Sequence, residues 1–322
     1  MLRTTPNQDT APSGTTPVKA EYIARLVDQV STIIVGKREQ VSLSVICLLA
    51  GGHLLIEDVP GVGKTTLAQA LARSLGLSFS RIQFTADLLP SDLTGVSVYE
   101  RQREEFVFHP GPVFANVLLA DEINRAGPRT QSALLEAMEE RQVSAEGETR
   151  PLPQPFFVIA TQNPSDQLGT HPLPESQLDR FAVRLSLGYP DRLSERALLT
   201  GDDRRDALSA LQPMMGPASW QLCQQAVDTI HVSDAFLDYL QALLTATRDG
   251  RWFALGLSPR AGLSLLRLAK ARALLLGRGH VSPEDLQALW VPAMAHRVVP
   301  LHQSGRSTSA QARALLEATP VP

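Results

Sequence analysis

The chain has 322 residues, enough for two domains of ordinary size, and its 43% hydrophobic and 20% charged content is that of a globular protein. A net charge of −3 without a long basic run argues against a dedicated nucleic-acid binder, and no stretch reaches the ~18 apolar residues that span a bilayer. The N-terminus lacks the basic-then-apolar pattern of a signal peptide, so the expectation is a soluble, cytoplasmic protein with no direct membrane insertion. Cys47 and Cys223 stand at no metal-binding spacing and read as free thiols acting as small hydrophobes.

Residues 1–18 are rich in Pro, Thr, Ser and Gly and read as a disordered tail. A helix is expected over 20–33, where Ile23, Leu26, Val27 and Val30 recur at helical spacing, and a second over 38–50, stopped by Gly51-Gly52. The pattern then changes: 53–57 is a short apolar run that reads as a buried strand, and 79–84, 117–120, 156–161 and 181–187 are further strand candidates, with helices between several of them, such as 130–141. That alternation predicts a mostly parallel sheet covered by helices on both faces. Two hairpins interrupt it, one pairing 96–99 with 106–108 and the other 142–144 with 149–152. The core domain is thus expected over 19–190. Residues 191–213 are charged and read as a linker with one short helix. Residues 214–300 read as an all-helical lid without strands, and 301–322 as a C-terminal tail with a short helix near 309–317. Ser258-Pro259 and the capping box Ser282-Pro283-Glu284-Asp285 mark two of the lid's helix starts.

The chemistry concentrates at strand ends. Pro60-Gly61-Val62-Gly63-Lys64-Thr65-Thr66 joins the 53–57 strand to a helix, the context of a phosphate-binding loop. Glycines let backbone N–H groups curl around phosphate oxygens, and the helix N-terminus favours negative charge. Lys64 would reach the β- and γ-phosphates and the Thr65 hydroxyl would ligate Mg²⁺. The general pattern wants Gly where Asp58 stands, so the strict motif is not met. The strand 117–120 ends in Asp121-Glu122, two carboxylates that apolar surroundings cannot solvate and that magnesium and a water would satisfy. Asp121 would hold the metal and Glu122 would activate the attacking water. The alternative, a helix cap for the helix at Thr130, needs a shorter spacing. Asn163 follows the 156–161 run, in its polar end, and would orient the water; alone, Asn163-Pro164 is only a turn signal. Phosphoryl transfer also needs cations. Arg180 precedes the last strand, and Arg260 sits in the first turn of the 258–277 helix, where it opposes the helix dipole and should point at an anion. The plain alternatives are solvated arginines or a salt bridge such as Asp179–Arg180.

These residues resemble the MoxR group of AAA+ ATPases. The likeness is carried by EDVPGVGKT at 57–65, QFTADLLPSDLTG at 83–95, GPVFAN at 111–116, ADEINRA at 120–126, TQSALLEAMEE at 130–140, ATQNP at 160–164, LPESQLDRF at 173–181 and GLSPR at 256–260. It implies a P-loop NTPase of the AAA+ type, with a three-layer αβα core and a C-terminal all-α lid, that binds ATP and Mg²⁺. It implies that Arg180 is the arginine finger acting on the next subunit's ATP, Arg260 the sensor 2 residue linking lid to nucleotide, Asn163 the sensor 1 residue, and Val35-Gly36 the loop beside the adenine. The hairpins resemble the helix-2 insert and pre-sensor-1 hairpin of that clade. Such proteins are usually hexameric homo-oligomers that act like chaperones, often with a von Willebrand factor A protein, on a protein substrate that the residues do not name. The other readings are a magnesium-chelatase-like motor subunit and an ATP-dependent scaffold with little turnover.

Overall fold

The structure, a computed structural model, describes residues 16–163, 170–200, 204–301 and 307–321. In chain order it has helices α1 (Thr16–Ile33) and α2 (Arg38–Leu49), strand β1 (His53–Glu57), α3 (Lys64–Ser74), β2 (Phe79–Gln83), α4 (Pro90–Thr94), the hairpin β3 (Gly95–Glu100) and β4 (Glu105–Pro110), β5 (Val117–Asp121), and α5 (Pro128–Glu140). The hairpin β6 (Gln142–Ala145) and β7 (Glu148–Pro151) follows, then β8 (Phe157–Gln162), α6 (Glu175–Leu178) and β9 (Phe181–Leu185). The remainder holds α7 (Arg192–Thr200), α8 (Arg204–Ala210), α9 (Pro217–Asp228), α10 (Asp234–Arg248), β10 (Phe253–Leu255), α11 (Pro259–Leu275), α12 (Pro283–Met294), β11 (Val299–Pro300) and α13 (Thr308–Ala318).

Five strands form one parallel sheet in the order β2-β5-β8-β1-β9. The inner strands are apolar along most of their length because helices cover both faces. Their alternation divides the interior in two: Leu54, Ile56, Val117, Leu119, Phe157 and Ile159 join one apolar cluster, and Leu55, Leu118, Ala120, Val158 and Ala160 join the other. Each fully buried Leu, Ile or Val contributes roughly 1.5–3 kcal/mol. Helices α1, α2 and α3 cover the first face; α4, α5 and the β6–β7 hairpin contribute to the second. In the second hairpin Glu146 and Gly147 both have positive φ, the turn geometry that matches strand twist. The Arg150 guanidinium stacks 3.8 Å over the Phe108 ring, so the two hairpins touch.

The C-terminal helices are not set apart from the sheet. α11 packs on α1, α2 and α9, and Leu265, Leu268 and Leu274 belong to the same cluster as the sheet's first face. Among the described residues no helix is long and apolar enough to cross a membrane.

Four expectations on organisation change. Helix α1 begins at Thr16, so residues 16–18 are helical; residues 1–15 of the expected tail lie outside the described residues. The stretch 191–213 carries two helices, and α8 docks on α1 and α3 through buried Leu208, whose carbonyl accepts from Arg73 Nη1 at 3.0 Å. The lid contains a small antiparallel sheet, β10 with β11, too short for alternation to show in the sequence. And α13 is packed rather than trailing: Ala312 and Leu315 are buried, and Trp290 Nε1 donates to the Ala312 carbonyl at 3.0 Å.

Candidate active site

Strands β1, β5 and β8 are neighbours and run parallel, so their carboxyl ends open on one edge, where ligands of such sheets bind. A cavity of about 350 Å³ lies there, lined by Pro60, Gly61, Gly63, Lys64, Thr65, Thr66, Asp121, Glu122 and Asn163, together with Arg81 and Gln83 of β2. Gly61 and Gly63 have φ of +85° and +96°, a backbone that side chains disfavour, and the space beside each is open. Lys64 opens α3 and its Nζ donates to the carbonyls of Asp58 at 2.7 Å and Val59 at 3.2 Å, curling the loop around itself. Asp58 is structural here: its buried carboxylate accepts from Val59 N at 2.9 Å, Ser186 Oγ at 3.0 Å and Gly188 N at 2.6 Å, pinning the loop to the segment after β9. A glycine could make none of these bonds.

Both carboxylates at the end of β5 are held. Asp121 accepts from Thr161 Oγ1 at 2.6 Å and from Arg81 Nη2 at 2.7 Å. Thr161 Oγ1 in turn accepts from Glu122 N–H at 2.9 Å, locking the ends of β5 and β8 together. Glu122 is in the left-handed region, φ +56°, a strained position for a residue with a side chain. Its Oε2 pairs with Arg125 Nη1 at 2.9 Å. Open glycine backbone at a helix N-terminus, a lysine, a hydroxyl and two adjacent carboxylates make a donor set that fits a magnesium-bound nucleoside triphosphate.

Not every expected residue lines this cavity. Val62 faces inward and packs against the first apolar cluster. Val35-Gly36 lies against the start of α7, where a methyl on Gly36 would collide with Ser194 Oγ, and Lys37 Nζ donates to Tyr189 O at 2.8 Å. This loop and Asp58 are therefore tied to one segment, 186–194, on the same side of the sheet's edge.

Arg180 and Arg260 line a second cavity, of about 470 Å³, with Glu139, Arg141, Asp179 and Arg297. Glu139 Oε2 pairs with Arg180 Nη2 at 2.9 Å, and its Oε1 pairs with Arg260 Nη2. The hydrogen bond from Arg260 and the two guanidinium charges hold the Glu139 carboxyl below its ordinary range. Arg260 does not line the chain's own P-loop cavity, because α11 lies along α1 and α2 and carries its first turn to the arginine side. The pair Asp179–Arg180 does not form: Arg180 goes to Glu139, and Asp179 to Arg297 and Ser258.

Sequence reasoning missed Arg81, Glu139 and Arg297. Arg81 reaches Asp121 only because β2 pairs with β5 in the register Gln83↔Asp121, which no local pattern encodes. Glu139 lies in an ordinary charged helix end and Arg297 in a turn after α12, and only tertiary packing brings them to Arg180 and Asp179.

The sequence signature of the ATPase family associated with various cellular activities (AAA) matches residues 53–183, and that of the AAA lid domain matches residues 245–318. The chain is 45% identical to YeaC, an uncharacterized protein of Bacillus subtilis, over 91% of this chain and 92% of that one. It is 41% identical to the chaperone MoxR1 of Mycobacterium tuberculosis, covering 91% of this chain and 80% of that one. A crystal structure from Cytophaga hutchinsonii, of a protein assigned as an ATPase, superposes with a TM-score of 0.86 at 34% identity, over 95% of this chain and 97% of that one.

Proposed function

The chain belongs to the MoxR family of AAA+ ATPases, and from that premise we propose that it hydrolyses ATP to ADP and phosphate at the interfaces of a homo-oligomeric, hexameric ring and uses the energy to remodel a protein partner. The observation that carries this reading is the convergence of Lys64, Thr65, Asp121, Glu122 and Asn163 on one cavity at the carboxyl edge of the sheet. In this reading the backbone of residues 61–65 and the N-terminus of α3 hold the phosphates, with Lys64 exchanging its loop carbonyls for phosphate oxygens. Thr65 and Asp121 would hold Mg²⁺, which when bound would neutralise phosphate charge. Glu122 takes the proton of the attacking water, Asn163 and Arg125 orient water and carboxylate, and the adenine lies toward Val35-Gly36.

Arg180 and Arg260 are proposed to act on the neighbouring copy's nucleotide. Both are drawn to one carboxylate, Glu139, outside their own P-loop cavity, so an anion offered by an adjacent chain would meet both. An arginine supplied in trans contributes ~10³–10⁵ in rate. The chaperone role is carried over from the named mycobacterial relative. The von Willebrand factor A partner follows from the family resemblance alone, and a cytoplasmic site of action from the sequence's lack of a signal-peptide pattern.

The test is release of phosphate from ATP by the assembled protein. Release in Mg²⁺ that stops in a chelator is expected. Tight ATP binding with no release would instead identify a nucleotide-dependent scaffold.

A further inference from the structure

Asp179 immediately precedes Arg180, yet its carboxylate turns away from the arginine and into the lid. Oδ2 accepts from Ser258 Oγ at 2.8 Å. Oδ1 lies 3.3 Å from Arg297 Nε, and the Asp179 backbone carbonyl accepts from Arg297 Nη2 at 3.2 Å. Ser258 is the N-cap of α11, accepting from Ala261 N–H at 3.0 Å, and stands two residues before Arg260. One hydroxyl therefore both caps the helix that presents Arg260 and holds the loop that presents Arg180. Glu139 closes the circuit by pairing with both guanidinium groups.

Arg297 is an unusual choice of anchor. Its side chain is 2% exposed, and burial pushes its pKa down to about 10 against the opposing pull of Asp179. Among the described residues its Nε and Nη1 make no hydrogen bond. A buried ion pair is seldom more stabilising than an apolar pair of the same volume, so stability alone does not account for it.

We infer that Asp179, gripped by Arg297 and Ser258, is a positioning residue that fixes Arg180 and Arg260 as one unit aimed at the adjacent subunit's nucleotide. The inference rests on the in-trans reading of the two arginines given above. A free arginine side chain samples many rotamers, and phosphoryl transfer tolerates little misplacement, a shift of about 1 Å costing as much as ~10² in rate. Ser258 and Arg297 belong to the lid and Arg180 immediately precedes β9, so Asp179 fixes the lid's arginine relative to the sheet's.

The experiment mixes two impaired variants. A Glu122→Gln subunit has a dead site of its own but intact arginines; an Asp179→Asn subunit keeps its own P-loop cavity intact. Alone, Asp179→Asn is expected to bind ATP within about twofold of the parent and to turn over ~10- to 10²-fold more slowly. Mixed with Glu122→Gln, it should recover turnover well above either alone, as an Arg180→Ala and Glu122→Gln mixture run in parallel should. Ser258→Gly, which retains most of the helix cap but loses the bond to Asp179, should behave the same way. Parental turnover in Asp179→Asn, or no recovery where the Arg180→Ala mixture recovers, would overturn the inference. Failure of both mixtures would instead remove the in-trans reading itself.

Discussion

The two cavities of this chain are built by opposite rules. In the P-loop cavity most lining residues come from three contiguous motifs at adjoining strand ends, and the sheet alone assembles them. In the arginine cavity the charges come one or two at a time from α5, the 179–180 turn, α11 and the segment after α12, and only tertiary packing brings them together. The first presents glycine backbone, a lysine and carboxylates to a ligand; the second pairs its guanidinium groups with carboxylates of the same chain. The first lies at the carboxyl ends of the strands and the second at their amino ends, beside His53 and Arg180, which is the disposition that the proposed sharing of a site between copies needs.

The comparison can be broken or sharpened by experiment. Arg180→Ala is expected to lower turnover by ~10³–10⁵ while leaving ATP affinity unchanged, measured by steady-state phosphate release and nucleotide titration. A loss of affinity instead would mean that the second cavity serves its own chain's nucleotide. Glu122→Gln should lower turnover by ~10²–10⁴ with binding retained, and normal turnover would remove the assigned base.

Acid should act on the arginine side. His53 lies beneath that cavity, fully buried, its Nδ1 accepting from Val158 N–H at 3.0 Å with Nε2 facing the Met138 carbonyl at 3.3 Å. Burial, with a smaller push from Arg141, lowers its pKa from 6.5 to about 4. The unfolded chain binds this proton near pH 6.5 and the folded chain only near 4. The stability is therefore complete above about pH 6.5 and is lost as pH falls toward 4, on the order of 3 kcal/mol. Thermal melting of the parent and a His53→Gln variant across that range checks it: the parent's acid sensitivity should shrink in the variant, and an unchanged slope would contradict the assignment. The smallest effect is expected at Arg81, half-exposed and paired with Asp121. Without that guanidinium, Arg81→Ala should need up to about fivefold less Mg²⁺ for half-maximal turnover, the scale of a surface ion pair. A higher requirement would contradict competition between Arg81 and the metal.

How far sequence alone reaches follows the same division. The five sheet strands begin within a residue of where the sequence places them, and for the inner strands β5, β8 and β1 the reason is that a strand buried on both faces must be apolar; β2, at the edge, is only partly buried. Ser258 and the Ser282–Asp285 capping box mark helix starts because caps are local. The gathering of Lys64, Asp121 and Asn163 is legible for a related reason: parallel strands bring their carboxyl ends to one edge. Arg81 is not, because its contact depends on the β2–β5 register. Arg260's position depends on where α11 lies, Asp179's partner on a residue more than a hundred positions away, and the packing of α8 and α13 on buried leucines in otherwise polar stretches. Periodicity reports which face of an element is buried, not which element covers it.

The most direct test of a site shared between copies is turnover per chain followed through a dilution series, with the oligomer measured by sedimentation in the same samples. The account predicts that hydrolysis falls away as the assembly dissociates, with dissociated chains still binding ATP. Undiminished turnover per chain in fully dissociated protein would contradict it.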